Sequence, residues 1–167
     1  MKVLPLPTQA RLKEVLDYNE DTGVFRWKKK TSKNSNVKIG QVAGTKELYI
    51  IIKIEKINYK AHRLAYMYVT GEDPGELDID HDDKNKHNNA FSNLRKATRG
   101  QNKSNTNSYK NNKVGIKGVR KKGNRYKAQI SKNGKSHYLG SYKTPEAAHK
   151  AYCEAADKYH GEFANYG

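Results

Sequence analysis

The sequence predicts an α+β fold in which small antiparallel sheets carry a few short helices. Three observations predict it. Short apolar stretches of period two, bounded by turn residues, occur in both halves of the chain. Helical patterns are few and each carries its own start or stop signal. A stretch at 103–113 holds four asparagines, three lysines and no aliphatic residue, which is linker composition and divides the 167 residues into two small units.

The elements follow in order. Thr8 is a candidate N-cap, and Leu12, Val15 and Leu16 then share one helical face. Asp21-Thr22-Gly23 reads as the turn of a hairpin joining 16–18 to 24–27, and the polar run 28–38 as a loop. Strands are predicted around 41–43, 48–54 and 57–59. Trp27 is the large apolar anchor of this region and is expected in its core. Residues 61–70 predict a helix with Leu64, Ala65 and Tyr68 inward, closed by Gly71. After a turn at Pro74-Gly75, a strand carries Ile79-Asp80-His81, a loop covers 82–90, and a second strand begins at Asn93-Leu94. Thr98 with Gln101 three residues later is a capping box, so a helix starts near Arg99 and holds Asn102 in its first turn.

Beyond the linker, turns at 122–124 and 132–134 separate three short strands. One helix follows: Thr144 caps it, Pro145 suits its first position, Glu146 meets the positive dipole end and Gly161 ends it. Ala148, Ala151, Tyr152, Ala155 and Tyr159 form the stripe that lies on the sheet. The other sheet face is left with basic residues that packing does not explain.

Composition narrows the partners. Thirty-three Lys and Arg stand against 17 Asp and Glu, a formal charge of +16, and 17 of the basic residues fall at 84–143, where there is no acidic residue. So basic a chain expects a polyanion. The single Cys153 excludes an internal disulfide and a cysteine-rich zinc site, fits a reducing cytoplasm, and is expected as a small buried residue on a helix. Neither a membrane-spanning apolar run nor the core of a secretory signal is visible, so the protein is expected to act where it is made.

The residues Ile79-Asp80-His81-Asp82-Asp83, Asn88-Asn89, Asn93-Leu94-Arg95, Ala97-Thr98 and Gln101-Asn102 resemble the HNH nucleases of the homing and phage type, over some 45 residues from His62. The resemblance implies a ββα-metal core at 61–107, with 1–60 as the N-terminal sheet region of the nuclease part. It implies that Asp80 and Asn102 hold one Mg²⁺ or Mn²⁺ ion, that His81 activates water, and that Asn93 ties the loop and holds the histidine in place. Asp and Asn oxygens are hard ligands, which suits those ions better than zinc. Neighbours on one strand point to opposite faces, so Asp80 and His81 must diverge unless the strand twists or the metal lies at its edge. Asn102 stands where a histidine is commoner in the family. Asp83 matches a family acid but reads as a turn residue; His62 matches the family's helix histidine and either meets DNA or packs. His87, His137, His149 and His160 read as surface residues, with His137 on the sheet expected to meet DNA.

Gly118-Val119-Arg120, 126–130, 138–142, Thr144-Pro145-Glu146-Ala147-Ala148 and Gly161 resemble the plant ethylene-response-factor (Apetala) DNA-binding domain, across 114–167. The resemblance points to Lys117, Arg120, Lys122, Arg125, Lys127, Gln129 and Tyr138 as facing the major groove. Together the two resemblances imply a phage- or intron-encoded, metal-dependent endonuclease that hydrolyses phosphodiester bonds in double-stranded DNA. One metal and one base imply a nickase acting as a monomer in the cytoplasm of a bacterial host, with no membrane partner and no small-molecule cofactor beyond the metal. The alternative is a DNA-binding regulator with a dead nuclease fold, which would be expected to lack Asp80 or His81.

Overall fold

The computed structural model describes residues 5–30, 36–107 and 112–167. Parts of the expected 28–38 loop and 103–113 linker, at 31–35 and 108–111, lie outside them. The chain divides into two compact units, 1–97 and 98–167.

In the first unit, helix α1 (Gln9–Val15) starts where Thr8 Oγ1 accepts the Arg11 N–H at 3.2 Å. At seven residues it is too short to be stable alone. Leu12 and Val15 hold it by entering the core. Strands β1 (Leu16–Asn19) and β2 (Val24–Trp27) pair antiparallel, with Leu16 opposite Trp27 and Tyr18 opposite Phe25. Tyr18, Phe25 and Trp27 are buried, as period-two alternation requires of one face. Residues 41–43 run beside β2, where Trp27 and Ala43 donate to Gln41 O and Phe25 O, but they join it through one bridge, Arg26 to Val42, rather than as a strand. β3 (Thr45–Lys46), β4 (Ile50–Ile54) and β5 (Ile57–Lys60) form a second sheet in the order β3-β4-β5.

Helix α2 (Ala61–Thr70) buries Ala61, His62, Leu64 and Ala65 and ends at Gly71, whose φ of 74° is the left-handed cap. Tyr68 is half-buried, its ring edge on Tyr18 and Phe25. β6 (Asp78–His81) pairs antiparallel with β7 (Leu94–Ala97), so that Asp80 faces Arg95 and His81 faces Leu94. A 3-10 turn at Phe91–Asn93 leads into β7.

The second unit begins with α3 (Arg99–Ser104), under the capping box of Thr98 and Gln101. β8 (Val119–Lys122), β9 (Arg125–Lys132) and β10 (Lys135–Tyr142) make an antiparallel sheet ordered β10-β9-β8. α4 (Pro145–His160) is capped by Thr144 Oγ1 on the Ala147 N–H and lays Ala148, Tyr152, Ala155 and Ala156 against it. Ala151 and Tyr159 of the expected stripe are half-buried beside them. A Cβ at Gly118 would stand 2.0 Å from the Tyr152 ring, so only glycine fits there. The unit's boundary comes before the 103–113 stretch because α3 bonds onward: Lys117 Nζ donates to Ser104 O, Ser104 Oγ meets His160 Nδ1, and Asn165 Nδ2 donates to Asn105 O. No helix among the described residues is long and apolar enough to cross a membrane.

Candidate active site and nucleic-acid interface

Asp80 and His81 are 6% and 4% exposed, an unusual depth for an acid and an imidazole side by side on a short strand. They diverge, as strand geometry requires. Asp80 shares its face with Arg95 directly across the ladder, whose Nε and Nη2 both donate to Asp80 Oδ2, at 3.2 and 3.1 Å, while Nη1 pairs with Asp82 Oδ1 at 2.6 Å. The buried carboxylate is thus compensated, without which it would be driven to protonate.

His81 meets a different set of residues. Its Nε2 lies 3.0 Å from Asn89 Oδ1; a carbonyl oxygen only accepts, so Nε2 carries the proton in this contact. The rings of His62 and Tyr49 flank it, at 4.9 and 6.3 Å between centroids. Burial lowers the His81 pKa from the usual value, opposed by the Asn89 bond and by Asp83 and Asp80. His62 is driven further down by burial first and by His81 second. His81 is therefore a neutral imidazole at neutral pH, the form in which it can accept a proton.

The loop that carries Asn89 is tied at both ends. Asn93 Nδ2 donates to Asn88 O and Asp83 Oδ1, and Asn93 Oδ1 accepts the Asp83 N–H. Asn93 does not touch His81 through any of these bonds; it braces 83–88, and Asn89 makes the contact. Asp83 also accepts from the Asn85 N–H and from Asn88 Nδ2, which makes it the hub of the turn. From the other side, the β1–β2 hairpin presses on the loop. Tyr18 Oη donates to Asn89 O at 2.6 Å, the Phe91 N–H donates to Glu20 O at 2.8 Å, and a Cβ at Gly23 would fall 2.2 Å from Ala90 N. Asn89, Tyr18, Gly23 and Tyr49 were not singled out as site residues from the sequence. The doublet Asn88-Asn89 stood inside the motif, but nothing in its spacing told which asparagine turns inward.

Asn102 lies half-buried on α3, in the second unit. Among the described residues no three His, Cys, Asp or Glu side chains group to hold a metal. Of the donors expected, the Asp80 carboxylate lies in the first unit; as a hard oxygen it suits a cation that keeps several waters, as Mg²⁺ and Mn²⁺ do, better than zinc.

On the second unit's sheet, Val119, Ala128 and Ile130 face α4. Alternation turns Arg120, Lys122, Arg125, Lys127 and Gln129 to the other side, and Tyr138, 61% exposed, stands opposite Gln129 with its ring under Lys127 Nζ at 5.2 Å. Arg120 lies directly across from Lys127 and Lys122 across from Arg125. Like charges so placed destabilise a ladder, and a polyanion across the face would relieve them. Arg125 is braced by bonds to Ser141 Oγ and O. Lys117 is not on this face; it precedes β8 and its ammonium is spent on Ser104 O at 2.7 Å. His137 also turns away, opposite Ile130 and stacked on Tyr159 at 5.4 Å. His149 and His160 are half-buried and hydrogen-bonded rather than surface residues, because α4 packs them against 117 and 104. Cys153 is half-buried on α4, its Sγ 3.5 Å from His149 Nε2.

A nuclease-type acid–histidine strand followed by an open basic sheet is the plan of two known families joined in one chain. Residues 59–104 match the family model described as HNH endonuclease, and residues 114–162 match that of the AP2 domain. The chain is thus built as an HNH endonuclease domain followed by an AP2 domain. An uncharacterized HNH endonuclease of Acanthamoeba polyphaga mimivirus is 42% identical over 104 residues, which cover 62% of this chain and 54% of the viral protein. The chain spans about half the length of that curated relative. No solved structure matches it.

Proposed function

We propose that this chain is a metal-dependent DNA endonuclease that nicks double-stranded DNA, with the sheet of β8 to β10 as its recognition surface. The observation that carries the reading is the buried pair on β6: a compensated carboxylate and a neutral imidazole held by Asn89. Phosphodiester hydrolysis needs an attacking hydroxide, charge stabilisation on the phosphoryl oxygens and help for the departing 3′ oxygen. His81 takes the proton from water. Asn89 fixes the plane of the imidazole, and Asn93 keeps Asn89's loop in place. Asp80 would hold Mg²⁺ or Mn²⁺; such an ion supplies Lewis-acid stabilisation of the phosphoryl and leaving oxygens.

One base and one carboxylate strand act on one phosphodiester, so a single chain cuts one strand per encounter and works as a monomer. Arg120, Lys122, Arg125, Lys127, Gln129 and Tyr138 position the duplex and read base edges, Arg120 having paired donors, and Gln129 a donor and an acceptor, for bidentate readout. The chain acts in the compartment that holds its DNA target, the cytoplasm of a cell in which a virus or mobile element replicates. The test is conversion of supercoiled plasmid to the open-circular form with Mg²⁺, and its loss with chelator. Nicking that persists in chelator would sink the metal-dependent reading.

A further inference from the structure

We infer that Lys60 and Lys86, both laid on the ring of Tyr49, form a phosphate-binding subsite beside His81 that grips the cleaved strand next to the bond being cut. The inference rests on the endonuclease reading above and adds to it a site for the backbone of the substrate. Three separate segments build it: Tyr49 precedes β4, Lys60 ends β5, and Lys86 lies in the 82–90 loop. The two ammonium groups stand 4.6 and 5.0 Å from the Tyr49 centroid. That ring is 6.3 Å from His81 and 5.1 Å from His62.

Some basic side chains of this unit are compensated by carboxylates, and these two lysines are among those that are not. In the first unit, Arg11, Lys29, Arg63, Arg95 and Lys96 all form ion pairs with carboxylates. Among the described residues Lys60 and Lys86 have no carboxylate within ion-pair distance. The acids nearest His81 are engaged elsewhere, Asp80 and Asp82 by Arg95 and Asp83 by the loop amides. Two positive charges without a carboxylate partner therefore lie on the ring that neighbours the imidazole.

A lysine stem over an aromatic ring is common by itself, at about one energetically significant case per 70–80 residues. Lys13 over Tyr68 is such a case in this chain. Lysine–tyrosine contacts recur along this chain, over Tyr66, Tyr138 and Tyr159 as well; what sets Tyr49 apart is that its ring carries two lysines and abuts the histidine. Their reach fits the substrate: from the distances above each ammonium lies within about 11 Å of the His81 ring, and phosphates follow one another every ~3.4 Å of axis along a strand. The subsite therefore covers the phosphates within roughly three of the one at His81. Lysine suits this task as a compact charge that meets phosphate without reading sequence.

The test uses the full chain with Lys60→Gln and Lys86→Gln, singly and together. Plasmid nicking is measured with Mg²⁺, and binding of a short fluorescein-labelled duplex is measured without metal across a salt series. The double variant is expected to raise KM about tenfold with kcat within about twofold, and to flatten the log-log salt slope by roughly 2, each single variant by roughly 1. Lys60→Arg with Lys86→Arg restores both readouts, and Lys13→Gln changes neither. Unchanged KM and slope in a double variant that melts like the parent overturn the subsite. Should the double variant not fold, the single variants decide by their slopes. Wild-type protein that nicks no DNA would instead sink the endonuclease reading, and the salt slopes would still decide whether these lysines hold phosphate.

Discussion

The two-stranded sheet β6–β7 and the three-stranded sheet β8–β10 are both short, antiparallel and placed beside a helix, yet they use their side chains in opposite ways. In β6–β7 the polar groups go inward. Asp80 and His81 are buried, and their neighbours come from distant segments: Arg95 across the ladder on Asp80 Oδ2, Asn89 from the loop on His81 Nε2, and the His62 ring from α2. In β8–β10 the polar groups go outward, and like charges face each other across the ladder without an acid on the sheet. A buried site spends stability on one fixed geometry, while an open face keeps its charges for a partner. The first should be sensitive to single atoms, and the second should respond in graded steps.

His81→Ala is the largest expected effect and the sharpest break of the comparison. General-base loss costs about 10²–10⁴ in kcat, while duplex binding stays at the parent level because the open sheet is untouched. His81→Ala protein that nicks at the parent rate removes β6–β7 as the reacting centre. Asn89→Ala comes next. It leaves the imidazole without its 3.0 Å partner, and loss of such an orienting bond costs roughly 10–100-fold. The loss belongs in kcat with KM unchanged; Tyr18→Phe, which frees Asn89 O at one remove, should show a smaller loss of the same kind.

On the open face the response should be additive instead. Arg120→Ala and Lys127→Ala should each flatten the salt slope of duplex binding by about 0.9 and leave kcat alone. Lys117→Ala, despite its place in the motif, should lower the melting temperature more than the affinity, since its ammonium holds Ser104 O. Equal affinity losses at 117 and 120 would mean that the face drawn from the register is wrong.

Acid should undo the buried side selectively. His62 and His81 have pKa values depressed by burial below the ordinary value of about 6.5. Below that pH the unfolded chain takes up protons that the folded chain refuses, so stability falls as pH drops and is full above it. Each histidine contributes a slope of up to about 1.4 kcal/mol per pH unit. Denaturant titrations at pH 7.5 and 5.5 check this, and His62→Phe should remove part of the slope; a first unit equally stable at both values contradicts the burial argument.

What was legible in the sequence follows from range of interaction. Caps and turns are local, so Thr8, Thr98 with Gln101, Thr144 and Gly71 stand in the predicted roles. The resemblance pointed to Arg120, Lys122, Arg125, Lys127 and Gln129 as one face, and the alternation of β8 and β9 puts them on the same side of the sheet. The motif marked Asp80, His81 and Asn93, but the partners of His81 depend on how 18–23 and 49 fold back on 82–91, which no spacing encodes. Strand 41–43 was overread because β-propensity cannot tell one bridging residue from a ladder. His137 lies on the sheet as expected, but which side it takes, opposite Ile130 and against Tyr159, depends on the β9–β10 register that period alone does not show.

The smallest effect separates two hairpins, β4–β5 of the first unit and β9–β10 of the second, at their turns. The β9–β10 turn is Asn133-Gly134, with φ values of 52° and 76°, the pair a tight hairpin favours. The β4–β5 turn needs the same backbone, φ 48° and 70°, but supplies Glu55 and Lys56. Glu55 is recovered by Arg11, whose Nε and Nη2 reach Oε1 at 3.0 and 2.5 Å; Lys56 is exposed. A left-handed lysine costs roughly 1–2 kcal/mol, and glycine gives back part of that through the freedom it adds to the unfolded chain, about 0.5–1 kcal/mol. Lys56→Gly should therefore stabilise the first unit by about 0.5 kcal/mol, a rise in its melting temperature of roughly 2–4 °C. Gly134→Ala should do the reverse in the second unit, because alanine at φ 76° takes on the same strain. If Lys56→Gly instead lowers the melting temperature, the turn is held by the lysine side chain rather than strained by it, and the two hairpins do not differ in the way their dihedral angles say.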